Sequence, residues 1–81
     1  MKKYIDPNQQ QYRFHVRETM NGYAIQVLNV ERDENVPLNP GIASQLAVTL
    51  PDSYRMQCCT REAAEEQLIQ LATLNGWTEI E

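Results

Sequence analysis

The dipeptide Asn21-Gly22, set between two alternating segments, constrains this fold more than any other feature of the sequence. Apolar and polar residues alternate over residues 12–19, which is typical of a half-buried strand. The alternation resumes over residues 23–31, with apolar residues on both sides. Asn-Gly favours a two-residue type I′ turn, because that turn needs positive φ at both central positions. The sequence therefore predicts a β-hairpin from about Gln11 to Glu31.

A helix is predicted over residues 60–76. Thr60 is a suitable N-cap, because its hydroxyl can accept a hydrogen bond from an N–H of the first turn. Asn75-Gly76 ends the helix, since glycine readily takes the left-handed conformation at this position. The helical period places Ala64, Leu68, Leu71 and Ala72 on one apolar stripe, which Leu74 and Ile69 widen.

The remaining segments are less regular. Residues 1–10 contain the turn-forming sequence Asp6-Pro7-Asn8 and are predicted to be loose. Residues 32–41 read as a polar connection. Ile42–Ala47 is either loop or a short helical turn capped by Asn39, with Pro40 in the first position. Ala47–Leu50 and Tyr54–Cys59 have strand-like patterns, and residues 77–81 are either a short strand or a tail.

These elements predict one domain over residues 1–81 with an α+β fold. We expect a small antiparallel sheet, made of the N-terminal β-hairpin plus one or two further strands, covered by one C-terminal helix. Because the second strand of the hairpin has apolar residues on both sides, a single long helix leaves one face of the sheet without a cover. The segment Pro40–Leu46, a second copy of the chain or another protein could supply that cover.

Composition limits the cellular compartments in which the protein is expected. The chain has 81 residues and a net charge of −4. No run approaches the roughly 20 apolar residues needed to cross a bilayer, so no membrane association is expected. The first residues lack the apolar segment of a secretory signal, and two cysteines without an export signal favour the cytoplasm.

The charge is unevenly distributed along the chain. Residues 1–30 carry four basic and two acidic residues, whereas residues 31–81 carry three basic and nine acidic residues. An acidic chain is a poor general partner for nucleic acid, because phosphate contacts depend on lysine and arginine. This argument against nucleic-acid binding does not apply to residues 1–30 taken alone.

The two cysteines, Cys58 and Cys59, are adjacent and directly precede Thr60. Neighbouring residues in an extended segment point to opposite sides, so the two thiols diverge. Zinc sites usually use cysteines two to four residues apart with further ligands, and this chain has a single histidine. We interpret one cysteine as buried and the other as half-exposed. The alternative is that Cys59 is a reactive thiol near a helix N-terminus.

No catalytic, cofactor or metal residues are predicted. Neither a glycine-rich phosphate loop nor the HExxH pattern of zinc proteases occurs. His15 is the only histidine, and no spacing pairs it with a serine or cysteine nucleophile. An enzyme is therefore the least supported class of function.

Candidate partner-binding residues fall into three groups. A basic stripe on the outer side of the first hairpin strand consists of Arg13, His15 and Arg17. Apolar residues of the second strand that a single helix would leave exposed include Leu28 and Val30. An acidic turn follows, with Glu31, Asp33 and Glu34.

The order strand, hairpin, strand and helix, with Thr60-Arg61-Glu62-Ala63 opening the helix, resembles the small DNA-binding domains of phage integrases. The resemblance covers a hairpin, a cap and a helix, and it implies a three-stranded sheet that contacts DNA. The chain departs from those domains in being acidic. Small acidic domains of this kind are also similar to phage-encoded inhibitors of host proteins.

The leading hypothesis from sequence is a small, acidic, non-enzymatic protein-interaction module. It would act through an exposed sheet face or edge, as a homodimer or as an inhibitor of a larger protein. The first alternative is nucleic-acid binding through the basic stripe and the two N-terminal lysines. The second is a thiol-dependent enzyme or redox protein that uses Cys59.

Overall fold

The computed structural model of the protein describes residues 2–80 as a five-stranded antiparallel sheet with two helices. The elements along the chain are β1 Lys3–Asp6, β2 Gln9–Thr19, β3 Gly22–Asn29, β4 Glu34–Pro37, α1 Pro40–Gln45, α2 Arg61–Asn75 and β5 Thr78–Glu79. The strands lie in the order β4-β3-β2-β1-β5. The predicted α+β class, with the N-terminal hairpin and the C-terminal helix, is confirmed.

The predicted hairpin forms the centre of the sheet. β2 and β3 pair continuously from Tyr12 opposite Asn29 to Thr19 opposite Gly22. Alternate residues of both strands enter the core, as the period-two pattern requires. Phe14 and Val27 are opposite one another at the centre of the ladder, and both are buried.

The hairpin turn differs from the type I′ turn predicted. Met20 and Asn21 occupy the turn, and neither has positive φ. Gly22 instead has φ of 129° and begins β3. A Cβ atom at Gly22 would lie 2.3 Å from the carbonyl oxygen of Cys58, which is far closer than van der Waals contact allows. Glycine is therefore required by the close approach of a second segment as well as by its own backbone conformation.

The prediction that residues 1–10 are loose is wrong for the part that the structure describes. Lys3–Asp6 forms β1 and pairs with β2, and Pro7 and Asn8 close a tight turn. The backbone N–H of Asn8 donates to the Asp6 carboxylate at 2.9 Å, which stabilises that turn. Met1 lies outside the described residues.

Two further strands complete the sheet. The polar connection contains β4, which pairs with β3 after a turn where Asp33 has φ of 53°. Of the two readings for the C-terminus, the strand is the one observed, because Thr78–Glu79 pairs with β1 as β5.

The segment left open in the sequence is helical. α1 is capped by Asn39, whose Oδ1 accepts from the Ile42 N–H at 2.8 Å. The strand predicted for Ala47–Leu50 is wrong. Ala47 has φ of 56°, and the N–H of Val48 donates to the Ala43 carbonyl at 2.8 Å, which ends the helix instead.

The alternating segment Tyr54–Cys59 also forms no strand. Only Cys58 pairs with the sheet, through two backbone hydrogen bonds with Tyr23 of 2.8 and 2.9 Å. The next stretch of the β3 edge is already occupied, because the Leu38 N–H donates to the Ile25 carbonyl at 3.0 Å and β4 follows. Cys58 is therefore the one residue of the segment that pairs with the edge of β3.

The helix α2 begins and ends as predicted. The hydroxyl of Thr60 accepts from the Ala63 N–H at 3.1 Å, and Gly76 takes the left-handed conformation with φ of 73°. Its buried residues are Ala64, Leu68, Leu71 and Ala72 of the predicted stripe, whereas Leu74 and Ile69, which were predicted to widen it, are exposed. No helix within residues 2–80 combines the length and apolarity needed to cross a bilayer.

Both helices lie on one side of the sheet, which we call the inner face. Ala43 of α1 and its C-cap residue Leu46 belong to the same buried cluster as Leu68 and Leu71 of α2. That cluster also contains the inward residues of the first three strands, which are Tyr4, Phe14, Val16, Ile25 and Val27. The segment Pro40–Leu46 therefore does not supply the cover that the opposite side of the sheet lacks.

Candidate functional site

The side of the sheet opposite the helices is the candidate binding surface, and we call it the open face. Apart from the Thr19–Gly22 pair beside the hairpin turn, strand alternation and the pairing register place eleven residues there: Lys3, Ile5, Arg13, His15, Arg17, Ala24, Gln26, Leu28, Asn35, Pro37 and Thr78. Within residues 2–80, no helix packs against this face. The open face is therefore the part of the fold available to a partner.

The charges on the open face have one sign. Lys3, Arg13 and Arg17 are its ionised residues, and none of its eleven positions is Asp or Glu. The strand residues Glu18, Glu34 and Glu79 occupy inward positions by register, opposite Tyr23, Asn29 and Tyr4. The remaining strand carboxylate, Asp6, lies at the bulge that ends β1.

The acidic residues of α2 lie on the other side of the molecule. Glu62 and Glu66 are exposed on the helix, whose opposite side is packed against the inner face. Lys3, Arg13 and Arg17 thus share a face without carboxylates, whereas Glu62 and Glu66 lie on the helix side. The protein therefore has a basic surface although its net charge is −4.

The three residues of the predicted basic stripe share the outer side of β2 but differ in exposure. Arg17 is exposed, and Arg13 is half-buried with its guanidinium donating to the backbone carbonyls of Gln10 and Tyr12. His15, however, is only 8% exposed. Its Nε2 donates to Asn35 Oδ1 at 2.9 Å, so the imidazole reaches across β3 to β4.

The environment of His15 disfavours its protonated form. Burial lowers the pKa of His15 below its ordinary value of 6.5, and the positive charges of Lys3 and Arg17 lower it further. The hydrogen bond with Asn35 opposes this effect without cancelling it. His15 is therefore a neutral, hydrogen-bonded residue at neutral pH, between two cations.

This pKa makes a prediction about stability. Because the folded-state pKa of His15 lies below its unfolded value, His15 stabilises the fold fully above pH 6.5 and loses that contribution as pH falls through the folded pKa. We expect the difference in unfolding free energy between the unmodified protein and His15→Gln to be largest near neutral pH and to shrink towards about pH 5.

Urea denaturation of both proteins across that pH range measures the difference. Carboxylates titrate in both proteins, so their contribution cancels in the comparison. A difference that grows as the pH falls would mean that the fold prefers protonated His15, contrary to this account.

The apolar candidates occupy different positions. Leu28 is half-buried on the open face, opposite Arg13 in β2 and Asn35 in β4. Val30 follows β3 and is 44% exposed. Ile5 adds a further half-buried apolar side chain opposite Arg13. The open face is thus a mixed surface of apolar residues flanked by cations.

The acidic turn is not part of the open face. Glu31 and Asp33 are exposed in the turn after β3, where Asn29 Oδ1 accepts from the Glu31 N–H at 3.0 Å. Glu34 begins β4 on the inner side and lines a small cavity of about 160 Å³ between the sheet and α1, together with Arg32. The structure therefore separates these three residues from Arg13 and Arg17 of the open face.

The cysteines lie where the sequence indicated. Cys58 is buried and Cys59 is exposed, and neither forms a disulfide. Within residues 2–80, no group of three or more histidine, cysteine or acidic side chains is placed to hold a metal ion.

Seven of the eleven open-face residues were not among the predicted partner-binding residues, although Lys3 was named in the nucleic-acid alternative. Lys3 belongs to it because β1 pairs with β2, which brings Lys3 opposite His15. The alternation of Lys3, Tyr4 and Ile5 was a usable signal for that strand. Asn35 had no sequence signal, because its role depends on a histidine two strands away.

Comparisons with known proteins leave the chain without a family. No protein-family model matches it, and neither the curated proteins nor the solved structures gave a significant match.

Proposed function

We propose that this protein is a non-enzymatic binding module whose open face docks onto an acidic surface of a protein partner. The separation of charge carries the proposal: Lys3, Arg13 and Arg17 share a face without carboxylates, while the exposed glutamates of α2 lie on the opposite side. Complementary charge of this kind speeds association and excludes partners of the wrong sign.

The apolar residues of the open face support a protein partner. Ile5 and Leu28 lie among the cations and are half-buried, so a partner can exclude water from them while its rim meets the charges. Interfaces of this type combine an apolar centre with a polar rim. The face offers both within one sheet surface.

The same face is poorly suited to nucleic acid. Single-stranded nucleic acids are held by stacking bases on aromatic side chains, and none of the eleven open-face residues is aromatic. The strand aromatics Tyr4, Tyr12, Phe14 and Tyr23 all occupy inward positions. The net charge of −4 adds long-range repulsion.

A face-to-face homodimer is also disfavoured. A two-fold interface brings the same patch of both copies together, so the cations of one open face would meet those of the other. Like charges placed across an interface cost binding energy. The partner we propose is therefore a different, acidic protein surface.

The test uses a short poly-L-glutamate peptide as the acidic probe and a single-stranded oligonucleotide as the competitor class. Amide chemical shifts of the isotope-labelled protein would be followed by NMR at low and at physiological salt. We expect the peptide to perturb residues of the open face, with affinity that falls as salt screens the charges.

Tighter binding of the oligonucleotide at matched salt would overturn the choice of a protein partner. Shift changes confined to α2 or the acidic turn would overturn the choice of face. No binding of either probe at low salt would contradict the proposal as a whole.

A further inference from the structure

A concavity of about 450 Å³ is lined partly by open-face residues and partly by the inward strand residues Val16 and Glu18 and by Arg61 of α2. Three cations from three different elements line it, Lys3 of β1, Arg17 of β2 and Arg61 of α2, and Glu18 is the one carboxylate among its lining residues. His15 and Asn35 also line it. With His15 neutral, the lining residues carry an excess of positive charge.

His15 is oriented within this cavity. Its Nε2 is held by Asn35 Oδ1 at 2.9 Å, which leaves Nδ1 as the nitrogen without a hydrogen bond among residues 2–80. When the ring is protonated, both nitrogens are donors, so Nδ1 can donate to a bound oxygen. Lys3 is paired opposite His15, and Arg17 lies two residues along the same strand on the same face, so both charges flank the ring.

We propose that this cavity is an oxyanion site, in which Lys3 and Arg17 supply positive charge and His15 donates a hydrogen bond from Nδ1. The proposal rests on the proposed function and names the group that the partner presents, a carboxylate or a phosphoryl group on its acidic surface. Because a bound anion favours protonated His15, binding takes up a proton from solution. Affinity therefore increases as pH falls.

The charged groups around His15 set the sign of this effect. Lys3 and Arg17 oppose protonation of His15 in the free protein, and Arg61 and Glu18 are the other charged residues that line the cavity. An oxyanion between Lys3 and Arg17 offsets the repulsion that these two cations exert on the ring. The expected consequence is about tenfold tighter binding near pH 5 than near pH 8.

The single histidine makes the experiment direct. NMR of the imidazole nitrogens gives the pKa of His15 alone, and it would be measured in sodium chloride and then with phosphate, acetate or a short poly-L-glutamate peptide at constant ionic strength. We expect the oxyanions to raise this pKa. Phosphate acting without acetate would identify a phosphoryl group, and acetate with the peptide would identify a carboxylate.

Matched variants test which cations are responsible. We expect the effect to be lost in Lys3→Gln/Arg17→Gln and kept in Arg32→Gln/Arg55→Gln, which removes the same charge from two loops. Glu18→Gln should strengthen it. An unchanged pKa with every oxyanion, or an equal loss in both double variants, would overturn the proposal.

The two proposals fail separately. If the peptide perturbs the open face and His15 does not respond, the docking face stands and the oxyanion site is wrong. If phosphate raises the pKa of His15 and the peptide does not bind, the site stands and the acidic protein partner is wrong.

Discussion

Phe14→Ala should lower the free energy of unfolding by about 3–5 kcal/mol, the cost of removing a large aromatic side chain from a core that cannot close around the space. Phe14 is fully buried at the centre of β2. Its ring stacks on Trp77 with centroids 3.8 Å apart and an interplanar angle of 9°. This contact joins the central strand to the residue that follows α2, so its loss loosens both layers.

Urea denaturation followed by circular dichroism measures this effect, with the fluorescence of Trp77, the only tryptophan, as a second signal. A domain of this size has about 5–15 kcal/mol of stability, so the variant approaches the limit of folding. Phe14→Leu keeps most of the volume and provides a folded variant with a smaller loss. Ile69→Ala, at an exposed apolar position of α2, is the control and should change stability by about 0.5 kcal/mol or less.

A loss of less than about 1 kcal/mol for Phe14→Ala would contradict the packing described, because surface positions show losses of that size. A loss as large for Ile69→Ala would contradict the orientation of α2. Together the two variants test the side of the helix that faces the sheet.

The elements of the fold that were correctly predicted from the sequence are those determined by residues close together in the chain. The alternation of Tyr12, Phe14 and Val16 defines a strand by itself, and Thr60 and Gly76 define the ends of α2 through bonds within one turn. These elements can be predicted from the sequence because each of these residues acts on its neighbours in the chain.

The incorrect predictions depend on pairing between distant segments. Tyr54–Cys59 alternates like a strand, but the adjacent edge of β3 is already bonded to Leu38 and β4. Conversely, Lys3–Asp6 looked loose because it is short and is followed by Pro7, yet β2 offers it a free edge. A pattern along the chain does not indicate whether an edge is available.

The candidate surface shows the same division. Alternation placed Arg13 and Arg17 on the outer side of β2, and the register agrees. The burial of His15 was not predicted, since it depends on Asn35 in β4. The absence of acidic residues from the open face depends on the register of all five strands, which the sequence alone does not determine.

Arg13→Glu/Arg17→Glu is expected to weaken binding of the poly-L-glutamate probe by about 30-fold at low salt, because each reversal replaces an attraction with a repulsion. Arg17 is exposed and Arg13 is half-buried, with its guanidinium bonded to backbone carbonyls. The Arg17→Glu single variant therefore tests the surface with the least disturbance of the fold, and the double variant gives the larger effect.

The matched control is Arg32→Glu/Arg55→Glu, which changes the net charge by the same amount. Arg32 lies in the turn after β3 and Arg55 in the loop before α2, so neither is on the open face. If binding depends on the open face, isothermal titration calorimetry should show a much greater loss for the first pair than for the second. Equal losses would mean that the probe responds to net charge alone, and the charge separation of this fold would then have no role in recognition.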